Sequence, residues 1–358
     1  MELLSVTMND GVKPRSEIEG KDNSSEDKSN YKIVRKGDMV YNSMRMWQGA
    51  NGISPCDGIV SPAYTVLMPK QEINNGYFAA LFKSANLINE FRKNSQGMTS
   101  DTWNLKYPQI ETIKVQIPSV SEQDKVSELF GVLDARIVAQ AQLIEALKKY
   151  KRGLLRKVFA KLSDSCEKRN LKEVSVLFAD GDWIESKDQA SDGIRLIQTG
   201  NVGFGVYIDK TQNAKYISET TFHRLNCLEI YDGDILISRL PEPAGRACLL
   251  PKSTERRITA VDCTVIRTDS SVIDRNYLLQ FLCSEQYLKT VNSFLAGGTR
   301  QRISRKNLEG IEVPYPSIDE QRYWGSFLCK VDARISNEEQ RRSSLSRLRC
   351  FMLQQLFI

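Results

Sequence analysis

The chain is poor in the residues that build metal and catalytic centres. Its 358 residues include a single histidine, His223, and no two of its eight cysteines lie close together in the sequence. Zinc sites need closely spaced Cys and His ligands, and disulfide frameworks are typical of short secreted chains. We therefore expect a cytoplasmic protein with reduced thiols and no metal site.

Long apolar segments are absent as well. No apolar run reaches the length that crosses a bilayer, and residues 1–5 lack the basic stretch and apolar stretch of a signal peptide. We expect no membrane partner. The formal net charge of +6 is modest, so it is compatible with a nucleic-acid partner without requiring one.

Sequence motifs of catalysis are also missing. The chain has no P-loop and neither an Asn-Pro-Pro-Tyr nor an Asp-Pro-Pro-Tyr segment, which are typical of nucleotide hydrolysis and amino-group methylation. Asp10 with residues 19–21 and Asp180 with residues 185–187 only loosely imitate the carboxylate–lysine spacing of nucleases. Both lie in polar, loop-like stretches, and chance is the better explanation. We expect a non-catalytic protein that holds no cofactor of its own.

The dominant feature that is present is an internal repeat. Residues 117–123, IPSVSEQ, return as residues 315–321, YPSIDEQ, and residues 133–137, LDARI, return as residues 331–335, VDARI. Phe159 and Phe357 match at the same offset of 198 residues. Such a long period indicates a duplicated domain rather than a solenoid. Two similar modules predict a pseudo-two-fold molecule with a target in two halves.

Each repeat ends in a long predicted helix. Ser119 with Glu122, and Ser317 with Glu320, have the spacing of a capping box, in which the serine oxygen and the glutamate satisfy free N–H groups of the first helical turn. Downstream, apolar residues alternate at spacings of four and three, which is typical of a coiled-coil seam. The predicted seam positions are Val126, Phe130, Leu133, Ile137, Ile144, Leu147 and Leu154 in the first helix, and Trp324, Leu328, Val331, Ile335, Leu345 and Met352 in the second.

The predicted seam is interrupted by polar residues, including Gln140, Lys151 and Glu338. They would fix the register of a helix pair, or mark where another protein docks. The alternative is that each helix packs only on its own domain, but the narrow seam and the charged outer faces favour pairing. A helix of roughly 40 residues is about 60 Å long, so parallel pairing would force the chain back over that distance. We therefore predict an antiparallel pair.

The domain bodies repeat more loosely. Residues 36–43 resemble residues 232–238, with a shared Gly-Asp-aliphatic pattern, and short strand-like runs are followed by a helical stretch in each copy. This pattern predicts mixed α/β domains with a curved sheet. The second copy also has residues 171–193 ahead of its first matching strand, so we expect that about 20 to 25 residues are missing from the start of the first domain.

Together these features resemble the DNA-specificity subunit of Type I restriction–modification systems. In that family a segment ending in Glu-Gln opens each long helix, as in residues 117–123 and 315–321, and the Gly-Asp turns at Gly37-Asp38 and Gly233-Asp234 are similar. The resemblance implies an α+β fold of two target-recognition domains, each followed by a long helix, the two helices pairing as an antiparallel coiled coil. The corresponding ranges are 1–116, 117–162, 163–314 and 315–358.

The same resemblance implies the partners. Each domain would read one half of a split sequence in double-stranded DNA, and the helices would space the halves and seat two methyltransferase subunits. Restriction subunits that translocate DNA would join the complex, and S-adenosylmethionine, ATP and Mg²⁺ would belong only to partner subunits. The chain would thus direct adenine methylation or cleavage. The alternative is a truncated or silent variant that acts only as a coiled-coil scaffold.

Candidate DNA contacts follow from residue chemistry. Arginine forks can read guanine, glutamine can read adenine, and other cations can neutralise phosphates. A Gly-Gly-Thr-Arg segment in the second copy is followed by a run of cations, and the alternative for it is a solvated basic loop leading into the next strand. Its counterpart in the first copy lacks the arginines. Weaker candidates follow the Gly-Asp strands, where Trp47 could equally be a core residue. The candidates are Arg45, Trp47, Gln48, Gln96 and Thr99 in the first copy, and Arg239, Arg246, Thr299, Arg300, Gln301, Arg302, Arg305 and Lys306 in the second.

Overall fold

A computed structural model describes residues 1–8, 11–20, 22, 24–99, 102–296 and 301–357. The chain divides into two compact units. Unit 1 is Met1–Gln142 with Glu338–Ile358, and unit 2 is Leu143–Asn337. None of the helices in these described ranges is long and apolar enough to cross a membrane.

Unit 1 begins with two small sheets. One has the order β2-β1-β6-β3 and the other β5-β4-β7, so the strands do not form the one curved sheet that the sequence predicted. Short strands separated by turns explain the division. The elements are β1 Glu2–Thr7, β2 Gly11–Pro14, β3 Lys32–Val34, β4 Met39–Asn42, β5 Asn51–Ile53, β6 Gly58–Val60, β7 Tyr64–Leu67, α1 Asn75–Leu81, α2 Ala85–Asn94, α3 Tyr107–Ile110 and the long α4 Val120–Ser165.

Unit 2 repeats this arrangement and adds to it. Its sheets have the orders β11-β10-β15-β12, β14-β13-β16-β9 and β17-β8. The elements are β8 Lys168–Asn170, β9 Leu177–Asp180, β10 Ile194–Ile197, β11 Lys215–Ile217, α5 Glu219–Leu225, β12 Glu229–Ile230, β13 Ile235–Ser238, β14 Ala247–Leu249, β15 Arg257–Thr259, β16 Cys263–Arg267, α6 Arg275–Leu282, α7 Glu285–Ser293, α8 Arg305–Glu309, β17 Glu312–Pro314 and the long α9 Ile318–Leu356.

The sheets of the two units match strand for strand. β4 pairs antiparallel with β5 and β7, and β13 pairs in the same way with β14 and β16. The mixed sheets also agree, because β1 and β10 each pair parallel with one strand, β6 or β15, and antiparallel with another. Of the strands described, β8, β9 and β17 of unit 2 have no equivalent strand in unit 1, and β8 and β9 fall where the sequence comparison had indicated absent residues.

The long helices begin at caps that the sequence predicted. In α4, the Ser119 hydroxyl accepts the Glu122 N–H at 3.4 Å, and the Glu122 carboxylate accepts the Ser119 N–H at 3.1 Å. In α9, the Ser317 hydroxyl accepts the Glu320 N–H at 3.4 Å. The helices therefore start at Val120 and Ile318, just after the capping serines.

The helix pair is antiparallel, as predicted. Within unit 1, Phe130 of α4 stacks on Phe357 of α9 with ring centroids 6.0 Å apart, whereas Gln140 further along α4 reaches the earlier Glu338. Residue numbers thus rise along one helix as they fall along the other. In unit 2 the Lys151 ammonium lies 2.6 Å from the Asp332 carboxylate.

The core of each unit receives the end of a long helix from the other repeat. Phe159, at the end of α4, packs in unit 2 against Tyr277, and Phe357, at the end of α9, packs in unit 1 against Tyr77. The centroid distances are 5.5 and 5.4 Å. Full burial of such a side chain contributes about 1.5–3 kcal/mol, so the matching phenylalanines stabilise equivalent positions.

Candidate DNA interface

The Gly-Asp turn is a structural element in both units. Gly37 and Gly233 have φ angles of +90° and +87°, a left-handed conformation that strains residues with a side chain. The Asp38 carboxylate accepts the Arg35 N–H at 2.8 Å, and the Asp234 carboxylate accepts the N–H of the equivalent residue at 2.9 Å. These bonds fix where β4 and β13 begin, and therefore where the loops after them are presented.

Two loops come together at the end of that strand in each unit. In unit 1 the Leu105 N–H donates to the Ser43 carbonyl at 2.8 Å, and in unit 2 the Ile303 N–H donates to the Arg239 carbonyl at 3.3 Å. Leu105 and Ile303 are fully buried and anchor the second loop on the core. We call the two segments the loop pair: residues 43–49 with 95–104 in unit 1, and residues 239–246 with 295–304 in unit 2. The loop pair brings together candidates that are about 50 to 60 residues apart in sequence.

The second loop of each pair is closed in the same manner. Gln96 and Asn104 form an isolated antiparallel bridge in unit 1, and Ala296 and Arg302 form one in unit 2. Gln96 and Thr99 are exposed. Thr299 and Arg300, the sharpest candidates from sequence, lie outside the described residues.

Trp47 does not belong to the core. It is half-buried in a short 3₁₀ helix after β4, edge-on to Trp103 of the neighbouring loop at 5.2 Å. The Arg92 guanidinium lies 5.8 Å from the Trp47 ring. Arg45 is exposed and Gln48 half-buried beside this aromatic pair. The arrangement offers a cation and aromatic faces to a ligand at the surface.

In unit 2 exposed cations lie on both sides of the buried Ile303. The Arg302 side chain is 61% exposed, and its nearest carboxylate, Asp262, is 3.7 Å away. Arg305 lies in the first turn of α8 with its guanidinium 3.2 Å from Glu309, a pairing that surface solvation makes weak. Gln301 and Lys306 are exposed. These four side chains can reach a ligand without leaving the fold.

Arg246 has a different role from the one the sequence predicted. Its guanidinium donates to the backbone carbonyls of Val202 and Leu240, both at 2.7 Å, and of Thr199 at 2.9 Å. Desolvation lowers the pKa of this guanidinium. If Arg246 turned outward to contact a base, these three carbonyls would lose their donor, which is costly. Arg246 therefore links two loops and is a poor candidate for reading a base.

Arg239 is likewise turned inward. Its side chain is only 8% exposed, donates to the Val261 carbonyl at 2.7 Å and lies 3.4 Å from the Asp180 carboxylate. Its loop position is as expected, but its guanidinium supports the fold rather than facing solvent. Sequence alone could not reveal this, since the acceptors come from residues far along the chain.

Comparisons with known proteins address what such a pair of units does. The family model for the Type I restriction modification DNA specificity domain matches residues 5–149 and 163–347. This chain belongs to that family. The specificity subunit of the Type I restriction enzyme MjaVIII from Methanocaldococcus jannaschii is 24% identical over 336 residues, covering 88% of this chain and 77% of the relative. The chain is therefore the DNA-recognition subunit of a restriction–modification system.

Solved structures agree with the fold of this specificity subunit. A chain from a structure that describes the complex assembly and conformational transition of the type I R-M system has a TM-score of 0.59 and 19% identity, covering 93% of this chain and 84% of that chain. The S subunit of a Type I system from M. genitalium has a TM-score of 0.56 and 18% identity, covering 91% and 84%.

Burial of the predicted seam positions of the specificity subunit comes in part from the domain cores, since Phe130 packs in a core of unit 1 and Leu328 in a core of unit 2. Each of the thirteen apolar positions is buried or half-buried, although Leu353 and Phe357 near the end of α9 add burial outside the 4-3 pattern. At the middle, Glu338 is buried and accepts from Gln140, the matching residue of the other repeat, and from Arg341 at 3.3 Å. A buried carboxylate needs such partners.

Sequence reasoning missed the two glutamines that end the repeated motif. Gln123 accepts the Asn74 N–H at 2.9 Å and donates to the Pro118 carbonyl at 3.0 Å. Gln321 makes the same two bonds, with the Asp274 N–H at 3.0 Å and the Pro316 carbonyl at 2.9 Å. Both side chains are almost fully buried. The repetition of these glutamines in the motif was the available signal in the sequence. Their role became clear only from the structure, which shows the domain helix whose first N–H each glutamine accepts.

Ligand chemistry of other kinds finds little support in the described ranges. There, no three His, Cys, Asp and Glu side chains cluster in a way that could hold a metal ion. Cys248 and Cys283 are buried, and desolvation raises the pKa of each thiol to about 12. A thiol with such a raised pKa is a poor nucleophile at neutral pH.

Proposed function

We propose that each unit of this specificity subunit reads one half of a bipartite sequence in double-stranded DNA through its loop pair. The main support is a backbone hydrogen bond between two loops that occurs in both units, from Leu105 to Ser43 and from Ile303 to Arg239. It gives both units a platform built on rigid strands, where base-reading side chains keep their geometry. The platforms carry different residues, so the half-sites differ.

The readers in unit 1 are Arg45, Trp47, Gln48, Gln96 and Thr99. In unit 2 they are Gln301, Arg302, Arg305 and Lys306, with Thr299 and Arg300 from the same segment. Arg302 is the best candidate for a base contact among the described cations, because it is exposed and only distantly paired. Lys306 and Arg305, at the start of α8, suit phosphate contacts.

We further propose that the chain itself performs no chemistry and holds no cofactor. The α4–α9 pair would seat two methyltransferase subunits, which bring S-adenosylmethionine, and restriction subunits would bring ATP and Mg²⁺. The charged outer faces of the helices support this role, since the apolar seam is used between the helices themselves. The chain would then direct adenine methylation or cleavage in the cytoplasm.

The test is a map of modified adenines. The chain and its methyltransferase subunit would be produced together in a host without other adenine methylation, and genomic DNA would be sequenced for modified bases. We expect two short specific segments at a constant separation. The matched control is the same pair with Arg302→Ala, which should relax one segment and leave the other unchanged.

A second candidate function is a scaffold that no longer reads DNA. It is favoured by one observation, the three-stranded sheet β5-β4-β7 of unit 1 where unit 2 has four strands. A stable complex with methyltransferase subunits but without any sequence-dependent methylation would favour the scaffold. Methylation governed by only one half-site would indicate that unit 1 alone has lost its reading function.

A further inference from the structure

Unit 2 has a much longer connection than unit 1 between two corresponding strands. In unit 1 residues 8–10 connect β1 to β2, whereas in unit 2 residues 198–214 connect β10 to β11. An antiparallel bridge between Val202 and Tyr207 folds part of the longer connection back on itself. We call residues 201–208 the added hairpin, because the short connection of unit 1 leaves no room for it.

The added hairpin is fastened beside the first loop of the unit 2 loop pair. At its turn, the Gly205 N–H donates to the carbonyl of Ala247, the first residue of β14, at 2.8 Å. The Arg246 guanidinium donates both to the Val202 carbonyl of the hairpin and to the Leu240 carbonyl of the loop. The hairpin is therefore held next to the segment that we assign to base reading.

The turn of the added hairpin exposes a cluster of apolar side chains. Phe204 is 48% exposed, Val206 is 57% exposed and Ile208 is 43% exposed, whereas Tyr207 packs against a core cluster of the unit. Val206 and Ile208 both lie over Gly203, since a Cβ there would come within 3.0 and 3.1 Å of their side chains. Exposed apolar clusters on a fixed framework are typical of binding surfaces.

The base of the same hairpin carries a polar cavity of about 180 Å³. Three cations line it, Arg195, Lys210 and Lys215, together with amide and hydroxyl side chains, and the described lining residues include no carboxylate. Lys210 and Lys215 are exposed, whereas Arg195 is buried and pairs with Asp209 at 3.3 Å. Cations around a cavity of this size can hold one phosphate group.

The spacing of the apolar turn and the polar cavity suits a groove of DNA. From Gly200, which lines the cavity, to Phe204 the chain advances at most about 13 Å, since a strand rises about 3.3 Å per residue. The major groove of B-DNA is about 8.5 Å deep, admits a two-stranded ribbon and has phosphates along both rims. A turn that reaches base edges therefore leaves the cavity within reach of a phosphate.

We propose that residues 198–215 of unit 2 form a third DNA-contacting element beside the loop pair. Phe204 and Val206 lie against base edges in the major groove, where thymine methyl groups accept apolar contacts. Lys210 and Lys215 hold a phosphate in the cavity. DNA fits both features, because it offers base edges and phosphates at this spacing and because the hairpin adjoins the loop pair. The inference rests on the proposed reading of DNA by unit 2.

The experiment uses the complete chain with its methyltransferase subunit and duplexes that carry the split sequence found by mapping modified adenines. Val206→Ser should weaken binding about tenfold through one half-site only, the same half-site that Arg302→Ala affects. Val176→Ser is the matched control, because Val176 is a similarly exposed valine of unit 2 that lies outside both the hairpin and the loop pair. The control should bind as the parent does, and both variants should keep the parent melting temperature.

Salt dependence tests the cavity. Lys210→Ala combined with Lys215→Ala should weaken binding to every duplex and reduce the slope of log affinity against log salt by about 1, because one phosphate contact is lost. Val206→Ser should leave that slope unchanged, since an apolar contact releases no counterions. Lys252→Ala, which removes a cation outside residues 198–215, is the control and should keep the parent slope.

The possible failures can be told apart. Parent affinity and half-site preference in Val206→Ser would overturn the role of the hairpin alone, since the effect of Arg302→Ala would still show that the loop pair reads DNA. Loss of the methyltransferase subunit from Val206→Ser would instead make the turn a protein contact. An unchanged slope in the lysine variant would overturn the phosphate contact. A parent complex without any sequence preference would contradict the proposed function, and this inference with it.

Discussion

At the scale of single residues, the repeated motif is explained by hydrogen bonds. Gln123 and Gln321 each satisfy a backbone N–H at the start of a domain helix and a carbonyl just before a long helix. Asp38 and Asp234 each hold the turn that precedes a central strand. Gln123, Gln321 and Asp234 are buried and Asp38 is half-buried, so these side chains set geometry as well as stability.

Gln321→Leu should destabilise unit 2. The Asp274 N–H and the Pro316 carbonyl would lose their partner, which costs about 1–3 kcal/mol. Hydrogen exchange of residues 274–282 would report the loss as faster exchange. Gln286→Leu is the control, because its bond to Ser163 is exposed and its loss should change little. Equal effects of the two variants would contradict the assigned role.

The thiols should differ strongly in reactivity. Cys350 is exposed, whereas Cys248, Cys263 and Cys283 are buried, and burial raises the pKa of Cys263 to about 11. Only the thiolate reacts, so a disulfide reagent at pH 8 should modify Cys350 within minutes and the buried three only after unfolding. Peptide mapping after a timed quench would measure this. Early modification of Cys283 would be inconsistent with the structure.

At the scale of elements, the helix pair carries equivalent polar contacts in both units. Asp134 pairs with Arg349 in unit 1, and the matching residues Asp332 and Lys151 pair in unit 2. Gln140 and Glu338, which match each other in the repeat, are themselves partners. Polar contacts at fixed seam positions specify register, because a shift would leave a buried charge without its partner.

Substitutions of Gln140 and of the buried Glu338 should have non-additive effects on the free energy of unfolding. Gln140→Leu leaves the carboxylate with fewer donors and should lower stability by roughly 1–3 kcal/mol. The double variant Gln140→Leu with Glu338→Leu should recover much of that loss, since an apolar pair fits the seam. Thermal unfolding of the two single variants and the double variant would measure the coupling. Simple additivity would argue against a direct partnership.

At the scale of the whole molecule, the duplicated units present corresponding loops on the same framework. Both units use the same strand registers and the same contact between loops, while the exposed side chains on those loops differ. A shared framework with different exposed loops is suited to the reading of two different half-sites. Specificity should therefore be separable, with each unit responsible for its own half-site.

Arg302→Ala should test this separation in solution. If Arg302 contacts a base, affinity for the cognate site should fall by about 1–3 kcal/mol, while substitutions in the other half-site keep their usual effects. The complex with methyltransferase subunits would be titrated with duplexes altered in one half at a time, at two salt concentrations. Lys252→Ala, a cation outside the loop pair, is the control. Uniform weakening on every duplex would make Arg302 a phosphate contact.

The sequence by itself determined the duplication, the two capped helices, their antiparallel pairing and the family. Each of these depends on local spacing: a capping serine three residues before a glutamate, an apolar 4-3 pattern, or a motif repeated at a constant offset. The direction of pairing followed from the chain connection, because a parallel pair would require the second domain to return over the whole length of the first helix. Such patterns can be recognised in the sequence because the residues that interact are near each other in the chain or recur at a regular spacing.

Only the tertiary structure decided which candidate contacts face outward. Arg45 and Arg246 follow similar strands, yet Arg45 is exposed, whereas Arg246 is bound to the Leu240 carbonyl of its own loop and to the carbonyls of Thr199 and Val202 from a distant loop. The place of the added hairpin beside the loop pair also became visible only through the bond from Gly205 to Ala247. Both facts depend on contacts between residues far apart in the chain, for which local sequence carries no signal.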